Sequence, residues 1–204
     1  MLQHQISALP HTDKMRARPH GAAAAAAAVA KVVPAAAGLA LVEAAIGYEW
    51  LLSGLNKVLS SGFGSGLAHQ LQTSLQGNPN GWWVSLANSL VLPHAQLFAV
   101  LVEVGELLVG LGLFAGAALW VSGRVAASRW ARLLNLGVIV ALVGGVLLSA
   151  NYVVMSGDTL PGLNPGNAFN EGLSIDSLLT IIGLGLLAIH LLASPLRGPS
   201  KAAD

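Results

Sequence analysis

The sequence contains no cysteine. This absence excludes disulfide bonds, iron–sulfur clusters held by thiolates and covalently attached c-type haem from this chain. Any redox chemistry therefore requires a non-covalent cofactor or a partner protein.

Charged side chains are also scarce. The 204 residues include 10 Lys and Arg and 9 Asp and Glu, or 9% of the chain, whereas a soluble domain is about 25% charged. Because 54% of the residues are hydrophobic and the mean hydropathy is +0.68, we predict an all-α integral membrane protein in contact with the lipid bilayer. The formal net charge of +1 provides no basic surface for nucleic acid, which is not an expected partner.

Four segments are long and apolar enough to cross a bilayer as helices. We predict a four-transmembrane-helix bundle with spans at about residues 35–58, 95–121, 131–155 and 174–194, in a membrane domain of residues 35–195. Residues 1–34 and 196–204 are predicted to be tails, the first of them disordered. A cleaved signal peptide is the alternative for the N-terminal tail, because a basic stretch there precedes an alanine run.

The positions of Lys and Arg predict the topology, because positively charged loops stay in the cytoplasm. Nine of the ten basic residues lie before the first span, between the second and third, or after the fourth, and they are Lys14, Arg16, Arg18, Lys31, Arg124, Arg129, Arg132, Arg197 and Lys201. Both termini are therefore predicted to be cytoplasmic (N-in/C-in), in a multi-pass protein of the plasma membrane.

The first external connection, from Ser60 to Pro93, is long for a compact domain and is expected to have structure of its own. Apolar residues alternate there with amide and hydroxyl residues around Trp82 and Trp83. Because Trp prefers the headgroup level, we predict an amphipathic segment on the outer leaflet. An ordinary loop with two aromatic anchors is the alternative.

Ionisable residues inside the spans are the strongest functional signal. Each costs about 2.5–3.5 kcal/mol or more on insertion scales, so it requires a partner or a function. Four carboxylates fall within the predicted spans: Glu43, Glu49, Glu103 and Glu106. At a rise of about 1.5 Å per residue, three of these lie in the outer half of the bilayer, together with Asn56, Lys57, Asn151 and Asp176, and only Glu43 lies clearly below.

This gathering of polar groups predicts a pocket in the outer leaflet. We expect Glu103 and Glu106 to exchange the proton of a catalysed reaction, and Lys57 to form an ion pair with one of them. Contacts to the substrate are expected from five residues: Glu49, Asn56, Lys57, Asn151 and Asp176. The alternative is that these groups only tie the helices together by hydrogen bonds and one ion pair.

The histidines of the spans do not predict a haem site. His94 lies at the outer end of the second span and His190 near the inner end of the fourth, whereas a haem held by two histidines needs both at one depth. We therefore expect no haem, no iron–sulfur cluster and no other metal on this chain.

Two short motifs resemble those of the DoxX/DoxD-like family of small four-helix membrane proteins. The first span ends in Ser53-Gly-Leu-Asn-Lys57, and the second contains Glu103-Val-Gly-Glu106-Leu-Leu-Val-Gly-Leu-Gly-Leu113, followed by Arg124. The resemblance covers roughly residues 40–195. It implies a polar core at Lys57, Glu103 and Glu106, and it supports no role for Glu43 or His190.

The resemblance also implies a kind of activity. DoxD-type members take part in quinone-linked oxidation of thiosulfate, and DoxX-type members belong to membrane oxidoreductase assemblies. We therefore expect a membrane subunit of an oxidoreductase that binds a quinone or a small sulfur substrate and works with other membrane subunits. A non-catalytic accessory subunit and a small proton-coupled transporter are the alternatives.

Overall fold

The computed structural model describes the backbone of residues 20–60, 62–123, 128–158 and 173–193, and the side chains from residue 35 onwards within these ranges. The described part of the chain is helical and contains no strand, which confirms the predicted all-α class. Its α-helices are α1 (His20–Leu59), α2 (Phe63–Leu75), α3 (Gly81–Leu86), α4 (Ala95–Ser122), α5 (Arg129–Ser156) and α6 (Ile175–Ala193).

Four helical segments are long and apolar enough to cross a membrane, as predicted. They are Ala35–Leu59, Gly81–Ser122, Arg129–Ser156 and Ile175–Ala193, with mean hydropathies between 1.4 and 2.3. The second is longer than its predicted span because α3 continues into α4 through a π-helical turn (Ala87–Val91) and a 3₁₀ turn (Leu92–His94). Pro93 lies in the 3₁₀ turn, where a missing N–H is compatible with the local change in helix geometry.

The chain divides into two units, residues 1–35 and residues 36–204. In the first unit the helical backbone begins at His20, so α1 includes the alanine run, as the high helix propensity of Ala favours. Residues 1–19 of the predicted N-terminal tail, the predicted C-terminal tail (residues 196–204) and Arg124 lie outside the described residues. All contacts below belong to the second unit.

Local signals fix the ends of α4 and α5. The hydroxyl of Ser128 accepts a hydrogen bond from the backbone N–H of Ala131 at 3.1 Å and caps the start of α5. Gly123 and Gly157 follow α4 and α5 with φ of 63° and 78°, a left-handed conformation that favours glycine. Each helix therefore ends where its sequence allows the chain to turn.

The predicted structured connection between the first two spans contains α2 and α3, which lie over one end of the bundle. Leu71 of α2 packs with Trp83, Ala87 and Val91 in a small core of their own. The amide of Asn78, between α2 and α3, donates to the carbonyl oxygens of Val154 and Met155 at 3.0 Å each. These bonds attach the α2–α3 segment to the last turn of α5, and we call this end of the bundle the capped end.

Glycines bring α1 and α4 into backbone contact. A Cβ atom on Gly110 would lie 2.8 Å from the backbone nitrogen of Leu51 and 2.9 Å from the carbonyl oxygen of Gly47. Such a close approach is open only to glycine. The crossing sets the register of the two helices and thereby decides which polar side chains of α1 and α4 meet.

The middle of the bundle is apolar. Its largest buried cluster consists of Ile46, Trp50, Val109, Leu113, Leu119, Ala131, Val138, Leu142 and Leu186. Two groups that contain buried ionisable side chains lie towards its two ends, and a separate hydroxyl contact joins α5 to α6, where Thr180 donates to Ser149 at 2.8 Å.

Candidate functional site

The first polar group, the lysine cluster, consists of Ser53, Lys57, Glu106 and Tyr152 near the capped end. Lys57 belongs to the last turn of α1, and its Nζ lies 2.7 Å and 2.9 Å from the two carboxylate oxygens of Glu106 on α4. It also donates to the hydroxyl of Ser53, one turn earlier on α1, at 2.8 Å. Side chains of a helix lean towards its N-terminus, so Lys57 points into the bundle instead of towards the headgroups.

Tyr152 of α5 completes the lysine cluster. Its hydroxyl donates to Oε1 of Glu106 at 2.5 Å, while the Glu106 side chain is fully buried. Nζ of Lys57 lies 5.6 Å from the ring centroid of Phe63 and 5.9 Å from that of Tyr152, within the range of cation–π attraction. One carboxylate thus receives a cation and a phenol hydroxyl, and the cation itself lies near two aromatic rings.

A cavity of about 560 Å³ adjoins this cluster beneath the α2–α3 segment. Its walls are mostly apolar, and its polar wall residues are Lys57, Gln70, Asn151, Tyr152 and Trp83. The indole N–H of Trp83 is buried and has no hydrogen-bond partner among the described residues. Three of the apolar wall residues, Leu86, Leu90 and Leu101, are themselves 40–54% exposed on the apolar outer surface. On this side the cavity therefore borders the apolar outer surface of the protein.

A second cavity, of about 550 Å³, also borders Lys57. Its wall carries the hydroxyl and amide groups of Ser53, Asn56, Ser60 and Gln70. Lys57 belongs to the walls of both cavities, as do Phe63, Leu67 and Gln70. The lysine cluster thus adjoins both a polar vestibule and an apolar chamber.

The structure brings together only part of the predicted site. Glu106, Lys57, Asn56 and Asn151 lie at the lysine cluster or in the cavity walls. Glu103 is half-buried one turn away on α4, Glu49 is exposed, and Asp176 is half-buried at the start of α6. None of these three lines either cavity, so the pairing predicted for Lys57 with Glu103 or Glu106 is made with Glu106.

The second polar group, the histidine cluster, lies towards the opposite end and takes one side chain from each membrane helix. His190 of α6 contacts Glu43 of α1 through Nε2, 2.5 Å from Oε1, and Asn135 of α5 through Nδ1, 2.6 Å from Oδ1. The indole N–H of Trp120 on α4 donates to Oε1 of Glu43 at 3.1 Å. Glu43 and His190 are fully buried.

The sequence reasoning did not find the histidine cluster. The sequence predicts that Glu43 lies alone below the pocket, and it suggests His190 only as a haem ligand, a role that its depth excludes. Depth along the spans does indicate the cluster, because the rise per residue places Glu43, Trp120, Asn135 and His190 all in the inner half of the spans. Gly116 makes the cluster possible, since a Cβ there would collide with the carboxylate of Glu43.

The described side chains hold no group of three or more His, Cys, Asp or Glu that could bind a metal ion. No protein-family model, curated protein or solved structure matches the chain.

Proposed function

We propose that the chain binds a quinone in the apolar chamber beneath α2 and α3 and serves as a membrane subunit of an oxidoreductase. The observation that carries the proposal is the position of the Lys57–Glu106–Tyr152 contact at the wall of a chamber that borders the apolar outer surface. A ligand entering from that side comes from the membrane and places its polar head beside a titratable cluster. The motifs around Lys57 and Glu106 that resemble DoxX/DoxD-like proteins point in the same direction.

The chamber suits the two parts of a membrane quinone. An isoprenoid tail requires apolar walls, which Leu86, Leu90 and Leu101 supply at the lipid side. The ring carbonyls require hydrogen-bond donors, and the amide of Asn151 has no hydrogen-bond partner within the described part of the chain. The three protons of the Lys57 ammonium are already directed at Ser53 and Glu106, so Lys57 acts through its charge. The apolar lining favours a quinone over a small sulfur anion in this chamber.

A bound quinone supplies electron transfer coupled to proton transfer. Glu106 is placed to hold or release a proton at Oε1, where the hydroxyl of Tyr152 can stabilise either form. Lys57 stabilises the carboxylate, and the polar vestibule beside it, lined by Ser53 and Asn56, provides a route for protons to water. Electrons must come from a partner or a second substrate, because the sequence has no cysteine ligand for an iron–sulfur cluster.

The accessory-subunit alternative has less support. An accessory subunit would pack against its partner through faces of small residues, but several glycines of the spans are used within the chain. Gly112 faces Ala141, Gly145 faces Val109 and Gly183 faces Val146, in each case closer than an ordinary Cβ contact. These close contacts account for the glycines by packing between α4, α5 and α6.

Quinone binding can be measured on the protein in lipid nanodiscs. We expect a lipophilic quinone to co-purify in mild detergent, and a short-chain quinone to bind the delipidated protein in calorimetric titration. Asn151→Leu removes one hydrogen bond, typically about 0.5–1.5 kcal/mol, and should weaken binding by about 2- to 10-fold. The control is Asn88→Leu, which removes an exposed amide outside the chamber and should bind as the wild type does.

A wild-type protein that carries no quinone and binds none would refute the proposed function. Equal affinities of the Asn151→Leu and Asn88→Leu variants would instead show that the ligand's carbonyl does not bind Asn151. We also propose that both termini are cytoplasmic and that the capped end faces outwards in the plasma membrane.

A further inference from the structure

No residue of the histidine cluster lines the chamber proposed for quinone. The cluster nevertheless gathers polar groups in the buried interior, where an unpaired polar group costs the most free energy. Glu43 and His190 are fully buried, and Asn135 is 1% exposed. The second carboxylate oxygen of Glu43, Oε2, has no hydrogen-bond partner among the described residues. A buried ionised carboxylate with an unpaired oxygen is strongly disfavoured.

The hydrogen bonds decide how many protons the cluster holds. Oδ1 of Asn135 can only accept, so Nδ1 of His190 carries a proton and donates it. The short contact between Nε2 and Oε1 of Glu43 then requires one more proton between the two atoms. If the Asn135 amide were turned the other way, its NH₂ group would donate to Nδ1 of His190. Neutral His190 would then donate from Nε2 to an ionised Glu43, and the cluster would carry a buried net charge. Neutrality therefore selects the arrangement with one shared proton.

The unpaired Oε2 locates that proton on Glu43. In the neutral carboxylic acid Oε2 is a carbonyl oxygen, which tolerates the lack of a donor better than half of a negative charge does. The indole N–H of Trp120 still donates to Oε1. The contact between Glu43 and His190 thus has the geometry of a salt bridge and the chemistry of a carboxylic acid bound to imidazole.

The surroundings separate this proton from the lysine cluster. Along α4, Glu106 and Gly116, which faces Glu43, are about 15 Å apart, and Val109 and Leu113 lie buried between them. Towards the opposite end the distance is shorter, because Trp120 precedes the end of α4 at Ser122 by about 3 Å. The nearer end of the bundle for the histidine cluster is therefore the end at Ser122.

We propose that Glu43 and His190 form a protonation site that carries one shared proton and exchanges it with the aqueous phase at the opposite end of the bundle. Its ligand is a proton, and the proposal is independent of quinone binding. Within the described side chains, α4 and α5 contribute the uncharged Trp120 and Asn135, and Arg132, one turn from Asn135, is exposed. Gain or loss of one proton thus creates a buried charge without a counter-ion at the point that joins the first and last spans.

Infrared spectroscopy in nanodiscs tests the state of Glu43. We expect the carbonyl stretch of a buried carboxylic acid in the wild type, its loss in Glu43→Gln and its retention in Glu106→Gln. Trp120→Phe keeps the acid and removes one donor to Oε1, so it should shift the band even if Glu43→Gln fails to fold. Nitrogen-15 NMR of the wild type should show His190 protonated at Nδ1. Absence of a band assignable to Glu43 would overturn the proposal.

The side of exchange is tested in vesicles that hold the protein in one orientation. When the buffer pH is changed on one side at a time, the Glu43 band should follow the side of Ser122, at the end of α4. A band that follows only the side of Ser65, on α2, or that responds to neither buffer, would overturn the proposed exchange.

Discussion

Replacing Lys57 by Met should destabilise the protein more than replacing Lys57 and Glu106 together. The single change leaves the carboxylate of Glu106 fully buried beside Tyr152 without its cation. Removal of one partner from a buried ion pair costs about 3–5 kcal/mol. Because the Lys57 side chain is 21% exposed, we expect a loss near the lower limit, about 3 kcal/mol.

The double variant Lys57→Met/Glu106→Gln removes both charges. The carbonyl oxygen of a glutamine at position 106 still accepts a hydrogen bond from Tyr152, and the methionine fills the space of the lysine stem. The double variant should therefore be more stable than Lys57→Met alone, with a coupling energy of about 1–3 kcal/mol. In a chain of this length about 3 kcal/mol lowers the melting temperature by about 6–12 °C, which circular dichroism in detergent can measure.

Glu103 provides a matched control for this cycle. It lies one turn from Glu106 on the same helix, but it forms no hydrogen bond or salt bridge with Lys57 in the described structure. The effects of Lys57→Met and Glu103→Gln should therefore add. If Lys57→Met is neutral and its effect also adds to that of Glu106→Gln, Lys57 extends to the headgroups and the lysine cluster does not form as described.

Two further predictions concern packing and topology. Gly110→Ala would push a Cβ into backbone atoms of α1 and should lower the free energy of unfolding by about 1–3 kcal/mol, measured by thermal unfolding. The control is Gly137→Ala, which has nothing within 4 Å of its Cβ and should be neutral or stabilising. Equal melting temperatures of the two variants would contradict the α1–α4 contact. A cysteine in place of Ser65 should react with an impermeant reagent from outside the cell and one in place of Ser122 should not; external labelling of position 122 would disprove the predicted orientation.

Much of the fold could be predicted because hydropathy alone determines where a chain crosses a bilayer. The predicted spans agree with the apolar helices to within a few residues at most ends, and α3 with its following turns extends the second. The detailed pairing of Lys57 was less accessible. It depends on the register that the close contact of Gly47 and Gly110 imposes on α1 and α4, and the sequence alone does not show which glycines face each other.

Other parts of the site were missed for physical reasons that are specific to each residue. Tyr152 was overlooked because an aromatic residue near the end of a span is expected at the headgroup level, whereas its hydroxyl turns inwards to Glu106. The histidine cluster was missed because the depth of Glu43 was compared only with the outer polar residues and the depth of His190 only with that of His94. Residues from four separate helices meet there, and such long-range contacts leave no local pattern.

The separation of the two clusters also bears on the transporter alternative. A proton relay across the membrane requires titratable or hydroxyl groups at short intervals, so that each can pass a proton to the next. Between Glu106 and Glu43 the described structure instead places buried apolar residues from three helices: Ile46 and Trp50 of α1, Val109 and Leu113 of α4, and Val138 and Leu142 of α5. Because close-packed apolar side chains leave no room for a chain of water molecules, we expect protons at Glu106 and at Glu43 to exchange with water at opposite ends of the bundle. The arrangement therefore favours a protein that handles protons separately at its two ends over one that conducts them from end to end.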